Sequence, residues 1–210
     1  MARVTQQLIP TPAGDARITW HAAKKPRLVL ALGHGAGGTG PSRDLLALAE
    51  AMPALGVTVA LVDQPWRVAG KKLAPAPRTL DTAWTALWPA LEKPGPPVVA
   101  GGRSAGARVA CRTARELGAR AVLALAFPLH PPGTPEKSRA DELTGAGVET
   151  LVVQGERDTF GRPEEFPAGT RIVTVPWGDH SFAVPKAADL GQDDALAVLT
   201  EGVGEWLKGL

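Results

Sequence analysis

The stretch VVAGGRSAG, residues 98–106, decides the fold. Its first four residues form an apolar run typical of a strand buried on both faces, and a helix is predicted from Ala105 to Leu117. Between the two, Gly102 to Gly106 matches the pattern G-x-S-x-G. A serine presented on so sharp a strand-to-helix turn takes up strained backbone angles, and its neighbours must be small to avoid colliding with it. Ser104 is therefore the candidate nucleophile.

The rest of the chain alternates short apolar runs with segments of helical spacing, which indicates right-handed βαβ units. The fold class is α/β, with three layers: a mostly parallel twisted sheet and helices on both faces. An antiparallel hairpin precedes this pattern, at Val4 to Ile9 and Arg17 to Trp20. The other predicted strands are Arg27 to Leu32, Val57 to Val62, Val98 to Gly101, Ala121 to Phe127, Thr150 to Gln154 and Arg171 to Val175, and the other predicted helices are Ser42 to Leu55, Thr79 to Leu91 and Asp193 to Leu207.

The amino-acid composition narrows the range of possible functions. The 210 residues favour one domain, 1–210, and the formal net charge of +2 without a basic stripe argues against a nucleic-acid binder. Cys111 is the only cysteine, which excludes disulfide frameworks and Cys-rich metal sites and suits a reducing compartment. No apolar run approaches the length of a membrane span, so we expect a cytoplasmic protein with no membrane partner. We expect no metal ion and no organic cofactor.

A serine nucleophile needs a neighbouring base, and the chain has four histidines. His21 lies on the early edge strand, and His34 lies in a glycine-rich loop. His130 follows a predicted strand, between prolines, where it could rim a site or merely end the strand. His180 lies between the last strand and the last helix, at the carboxyl edge of the sheet where ligands bind. We assign His180 as the base.

The base needs a carboxylate that fixes its tautomer and stabilises the imidazolium. Asp158 directly follows the strand Thr150 to Gln154, again at the carboxyl edge. Asp179 is a rival because it adjoins His180, but neighbouring side chains seldom meet in the required geometry. The resulting order is nucleophile, acid, base, which differs from the chymotrypsin and subtilisin orders.

An oxyanion formed on the substrate needs hydrogen-bond donors. The loop Gly33-His34-Gly35-Ala36-Gly37-Gly38 is close to the His-Gly-rich pattern whose backbone N–H complements the one that follows the nucleophile. We assign the two donors to the backbone of Ala36 and Ala105. In this interpretation His34 shapes the loop through hydrogen bonds.

The same loop supports an alternative, a dinucleotide-binding protein. Gly33, Gly35 and Gly38 satisfy G-x-G-x-x-G after a strand, and Asp63 ends the next strand, where a ribose-binding acid could lie. This alternative leaves the serine, aspartate and histidine unexplained, and Pro41 crowds the start of the helix.

The chain from Leu28 onward resembles the α/β-hydrolase superfamily, in particular its small lid-less branch of dienelactone-hydrolase-like serine hydrolases. The runs 127–137 and 153–158 carry this resemblance beside the serine motif. It implies an α/β-hydrolase fold, with nucleophile, acid and base at Ser104, Asp158 and His180, acting on a small-molecule ester or thioester. Dienelactone hydrolase proper has cysteine at the nucleophile position, so its substrate is not implied.

Some eukaryotic relatives in this group are subunits of chromatin-associated complexes. The resemblance therefore leaves open a second class of function, a hydrolase-like scaffold that binds a protein partner and has little catalysis.

In larger hydrolases a lid follows the strand that corresponds to Ala121–Phe127. Here Pro128 to Gly147 is too short for a lid domain, which predicts an open, shallow site bordered by this segment and by Asp63 to Arg78.

Arginines near these loops suggest an acidic substrate group, or else they cap helices and pair with surface carboxylates; they are Arg67, Arg103 and Arg108. The other candidate pocket residues are His34, Trp66, His130, Trp177 and Phe182.

Overall fold

The computed structural model describes residues 3–37 and 40–210, and a single eight-stranded sheet lies at its centre. The strand order is β1-β2-β4-β3-β5-β6-β7-β8, and only the pairs β1–β2 and β2–β4 are antiparallel. The strands are β1 Arg3–Thr11, β2 Gly14–Ala22, β3 Leu28–Gly33, β4 Val57–Asp63, β5 Val98–Arg103, β6 Ala121–Leu125, β7 Thr150–Gly155 and β8 Arg171–Val175.

Helices cover both faces of this sheet because its central strands are apolar on both sides. In β3, Leu30 packs toward the core under one face and Val29 toward the core under the other. The first face is covered by α1 (Arg43–Ala51) and α6 (Gln192–Lys208), and the second by α3 (Pro77–Glu92) and α4 (Ala105–Thr113). The predicted three-layer α/β architecture is confirmed.

Several boundaries differ from the sequence pattern. β6 ends at Leu125 because Ala126 has a φ of +43°, which turns the chain out of the strand while its N–H still donates to the Val153 carbonyl. The sequence did not predict the short helix α2 (Pro65–Val68), which begins with a proline after β4.

No lid domain covers the sheet in the described part of the chain. Between β6 and β7 the chain forms only a 3-10 turn, Pro135–Lys137, and the short helix α5, Ala140–Thr144. Within residues 3–37 and 40–210, no helix has both the length and the apolar character that a membrane span requires.

The ends of β3 and β5 approach so closely that only glycine fits there. Gly33 and Gly102 are paired in register. A Cβ on Gly102 would lie 2.6 Å from the Gly33 carbonyl oxygen, and a Cβ on Gly106 would lie 2.5 Å from that same oxygen. The loop after β3, the end of β5 and the start of α4 therefore meet backbone to backbone.

This contact predicts the effect of a single methyl group. Gly102→Ala should lower the free energy of unfolding by about 1–3 kcal/mol or more, because the new Cβ must displace main-chain atoms. Gly40→Ala is the matched control: among the described residues its Cβ would meet no atom within 4 Å, so we expect a change within about 0.5 kcal/mol. Urea unfolding of both variants measures this, and equal stabilities would refute the steric account.

Candidate active site

Ser104 lies on the turn between β5 and α4, in the strained conformation that the motif requires. Its φ is +53° and its ψ is −109°, backbone angles that residues other than glycine rarely adopt. Its N–H donates to the Leu125 carbonyl at 2.9 Å, and its carbonyl accepts the Arg108 N–H at 3.2 Å. The strain is thus held by β6 on one side and by the first turn of α4 on the other.

The structure brings the serine, histidine and aspartate of the sequence analysis into one hydrogen-bonded chain. His180 Nε2 lies 3.0 Å from Ser104 Oγ, and His180 Nδ1 lies 2.8 Å from Asp158 Oδ2. Because the carboxylate can only accept, Nδ1 carries the proton and Nε2 is free to accept the hydroxyl proton of Ser104. A base whose nitrogen lies 2.6–3.2 Å from the oxygen that carries the proton meets the geometric requirement for general-base catalysis.

Asp158 is completely buried and is fixed by two further donors. Its Oδ1 accepts the Phe160 N–H at 2.8 Å, and its Oδ2 accepts Gln154 Nε2 at 2.8 Å. The same Gln154 nitrogen also contacts the Gly161 carbonyl at 2.8 Å. Sequence reasoning missed Gln154, although a polar residue at the end of an otherwise apolar buried strand was a usable signal.

Phe160 was also missed. Its ring stacks on the imidazole of His180, with the ring centroids 4.1 Å apart and the planes 29° apart. Its backbone meanwhile donates to Asp158. Phe160 therefore restrains the orientation of both the carboxylate and the imidazole, a role that depends on a contact between two distant loops and has no local sequence signature.

Arg103 ties the histidine loop to the body of the protein. Its Nη2 donates to the His180 carbonyl at 2.7 Å and to Ser181 Oγ at 3.1 Å, and its Nε lies 3.7 Å from the fully buried Asp44. Burial raises the pKa of Asp44, and the nearby guanidinium opposes that rise. The guanidinium of Arg103 is thus already bonded to groups of the protein itself.

Asp179, the rival acid, caps its own turn. Its Oδ1 accepts the N–H groups of Ser181 and Ala183 at 2.7 and 2.9 Å. The carboxylate that bonds to the imidazole belongs to Asp158 instead.

His34 braces the loop after β3. Its Nδ1 donates to the Gly35 carbonyl at 2.8 Å, and its Nε2 accepts the Gln64 N–H at 3.0 Å, which fixes the neutral tautomer. Burial, against the raising effect of the Gly35 hydrogen bond, lowers the pKa of His34 to about 4; the smaller effects of the Arg67 and Asp63 charges oppose each other. His34 is therefore uncharged at neutral pH and shapes the loop, as the sequence predicts.

Arg67 holds the same loop from outside. Its Nη2 donates to the Gly37 carbonyl at 3.1 Å, its Nη1 donates to the Gly40 carbonyl at 3.3 Å, and it pairs with Asp63 at 3.6 Å.

Beneath the loop, Ala36 and Ala105 line one small cavity together. The two backbones predicted to donate to an oxyanion therefore border the same space.

The remaining candidate pocket residues lie in different surroundings. Trp66 lines that cavity, and Trp177 is exposed beside the histidine loop at a φ of +59°. His130 bonds through Nε2 to Glu165 at 2.7 Å and through Nδ1 to the Pro131 carbonyl, contacts that raise its pKa. Phe182 was wrongly predicted as a pocket wall: a φ of +54° turns its side chain into the α1–α6 core, where it is completely buried.

The arginines do not form a free anion site. Arg108 makes two hydrogen bonds to Glu142, at 2.6 and 2.7 Å, while Arg67 and Arg103 are held by the partners given above. Because these arginines already bond to groups of the protein itself, a role in holding its loops and helices is favoured over recognition of an acidic substrate group.

The dinucleotide alternative does not fit this loop. Gly38 lies outside the described residues, but α1 begins only at Arg43, so the glycines do not open directly into a helix. The acid proposed for a ribose, Asp63, pairs with Arg17 at 3.7 Å and with Arg67. Among residues 3–37 and 40–210, no cluster of three or more histidine, cysteine, aspartate or glutamate side chains could hold a metal ion.

The eight-stranded sheet, the two helical layers and the serine on a strained strand-to-helix turn define the class of α/β hydrolases. A sequence model of the family described as an alpha/beta hydrolase domain matches residues 24–208, and the chain belongs to that family. No curated protein matches the chain.

Solved structures share the fold over nearly the whole chain. A lid-less α/β serine hydrolase from Xanthomonas campestris is 18% identical, with 97% of this chain and 95% of that one covered and a TM-score of 0.73. A dienelactone hydrolase from Anabaena variabilis is 18% identical, with coverages of 99% and 98% and a TM-score of 0.72. Est1E from Butyrivibrio proteoclasticus is 16% identical, with coverages of 97% and 99% and a TM-score of 0.70.

The lowered pKa of His34 predicts how stability depends on pH. Below its ordinary value of 6.5, the unfolded chain takes up a proton that the folded loop rejects until the pH approaches about 4. Stability is therefore lost as the pH falls through that window. Between pH 7 and pH 5 the wild type should lose about 2 kcal/mol more than His34→Gln. Urea unfolding at the two pH values tests this, and parallel losses would contradict it.

Proposed function

We propose that the chain is a serine hydrolase that cleaves a carboxylic ester or thioester through an acyl-enzyme on Ser104. The single observation that carries this proposal is the hydrogen-bonded chain from Ser104 Oγ through His180 to the buried Asp158. A serine hydroxyl is a weak nucleophile until a positioned base takes its proton, and this arrangement supplies that base.

The reaction follows from the geometry. His180 Nε2 takes the Ser104 proton as Oγ attacks the substrate carbonyl, and Asp158 stabilises the resulting imidazolium through Nδ1. The imidazolium then gives its proton to the leaving alcohol or thiol. Water repeats the cycle on the acyl-enzyme, which restores Ser104 and releases the acid.

Two backbone N–H groups, of Ala36 and Ala105, stabilise the tetrahedral oxyanion in this mechanism. Ala105 is the first residue of α4, where unpaired N–H groups and the helix dipole favour negative charge. The bracing of the loop by His34 and Arg67 supports a fixed position for the Ala36 N–H before substrate arrives.

The surroundings favour a small-molecule ester over a long lipid chain, because the chain between β6 and β7 is too short to form a covering domain. A scaffold protein with little catalytic activity would not require ordered hydrogen bonds between a serine, a histidine and an aspartate. These hydrogen bonds therefore favour an enzyme over a scaffold. We also propose a cytoplasmic location, since Cys111 is the one cysteine of the sequence and a chain without an intramolecular disulfide suits a reducing compartment.

A fluorophosphonate probe tests the nucleophile directly. The wild type should be labelled once per chain, and Ser104→Ala should lose labelling completely. His180→Ala should be labelled about 10²–10⁴ times more slowly, since the base no longer removes the proton. Gel fluorescence and intact mass report the extent of labelling.

Ser138→Ala is the matched control, because the Ser138 hydroxyl accepts the Ala140 N–H at the start of α5 and takes no part in the hydrogen bonds that join Ser104, His180 and Asp158. Its labelling should equal that of the wild type. Labelling that survives in Ser104→Ala, or none in a folded wild type, would overturn the proposal.

A further inference from the structure

A small cavity lies directly beneath the proposed oxyanion donors. Its volume is about 10 Å³, and the residues that line it include Ala36 and Ala105 as well as Leu80, Trp84 and Val109. A site needs about 10–15 Å³ on this scale to hold one water molecule, so the cavity accepts one group of that size.

The position of His180 decides which part of a substrate would enter. The imidazole gives its proton to the leaving group, so the leaving group must lie on the His180 side of the carbonyl carbon. Among the described residues, none from the loops that carry Asp158 and His180 lines the cavity. The substituent on the opposite side of the carbonyl carbon is the acyl chain.

The walls explain why a longer chain would not be accommodated. Trp84 and Val109 are almost fully buried and belong to the core under the α3–α4 face. The Trp84 ring lies only 3.4 Å from where a Cβ on Gly33 would stand, beside the end of β3. Extra methylene groups would have to displace these close-packed side chains, which is costly in a well-packed interior.

We propose that this cavity is the acyl subsite and that it restricts the substrate to esters or thioesters of short, uncharged acyl groups of acetyl size, an inference that rests on the proposed function. None of the described residues that line the cavity carries a charge at neutral pH, since His34 is neutral there, so nothing in the cavity would pair with a charged acyl chain. The alcohol or thiol portion faces the open side of the site, where no wall of the cavity constrains it.

Chain-length profiles with p-nitrophenyl acetate, butyrate and octanoate test the subsite. In the wild type, kcat/KM should fall by about tenfold or more from acetate to butyrate, and further for octanoate. Leu80→Ala removes three carbon atoms from a wall and should raise the butyrate-to-acetate ratio by about tenfold. Val109→Ala, a smaller truncation, should shift the ratio in the same direction by about threefold and serves if Leu80→Ala is unstable.

Leu87→Ala is the matched control, because Leu87 is fully buried on the same helix but does not line the cavity. It should lower thermal stability and leave the butyrate-to-acetate ratio at the wild-type value. A profile that is flat or rises with chain length, or equal shifts in the two leucine variants, overturns the subsite. If these results come with Ser104 labelled by the fluorophosphonate, the subsite alone fails; if Ser104 is not labelled, the hydrolase proposal fails and the subsite with it.

Discussion

The close approach of three glycine backbones is the constraint on which the rest of the site depends. Gly33 ends β3, Gly102 lies near the end of β5, and Gly106 lies in the first turn of α4, and a Cβ on either of the last two would collide with the Gly33 carbonyl. This contact fixes the spacing between the loop after β3 and the turn that bears Ser104. Without it, the Ala36 and Ala105 backbones could not border one cavity.

A second close approach does the same for the acid and the base. A Cβ on Gly155 would lie 2.5 Å from the Gly178 carbonyl oxygen, and the Arg157 N–H donates to that carbonyl at 2.8 Å. The loops after β7 and β8 are thus locked together, which sets the distance between Asp158 and His180. Parallel strands make this economical, because their carboxyl ends all reach the same edge of the sheet.

The sequence was sufficient for the architecture and for the three residues of the proposed mechanism, because both depend on local patterns. Apolar runs, helical spacing and the G-x-S-x-G turn are read within about ten residues, and sheet topology then brings Ser104, Asp158 and His180 to one edge. Phe160 could not be found in this way, since its role depends on a contact between separate loops. Gln154 did leave a local signal, a polar residue at the end of an apolar buried strand, but its bond to Asp158 is visible only in the structure.

The error at Phe182 has the same physical origin. A phenylalanine next to a candidate base resembles a pocket wall, but the direction of its side chain depends on one positive φ angle in the turn. The size of the cavity also lies beyond sequence reasoning, because it is what remains after Trp84 and Val109 have packed into the core.

Trapping the acyl-enzyme tests the central claim most directly. Mixed with p-nitrophenyl acetate and quenched in acid within the first turnover, the wild type should release a burst of about one p-nitrophenol per chain. Peptide mass spectrometry should find one acetyl group, on Ser104. The absence of a burst, or an acetyl group attached to another residue while Ser104 stays unmodified, would contradict the account.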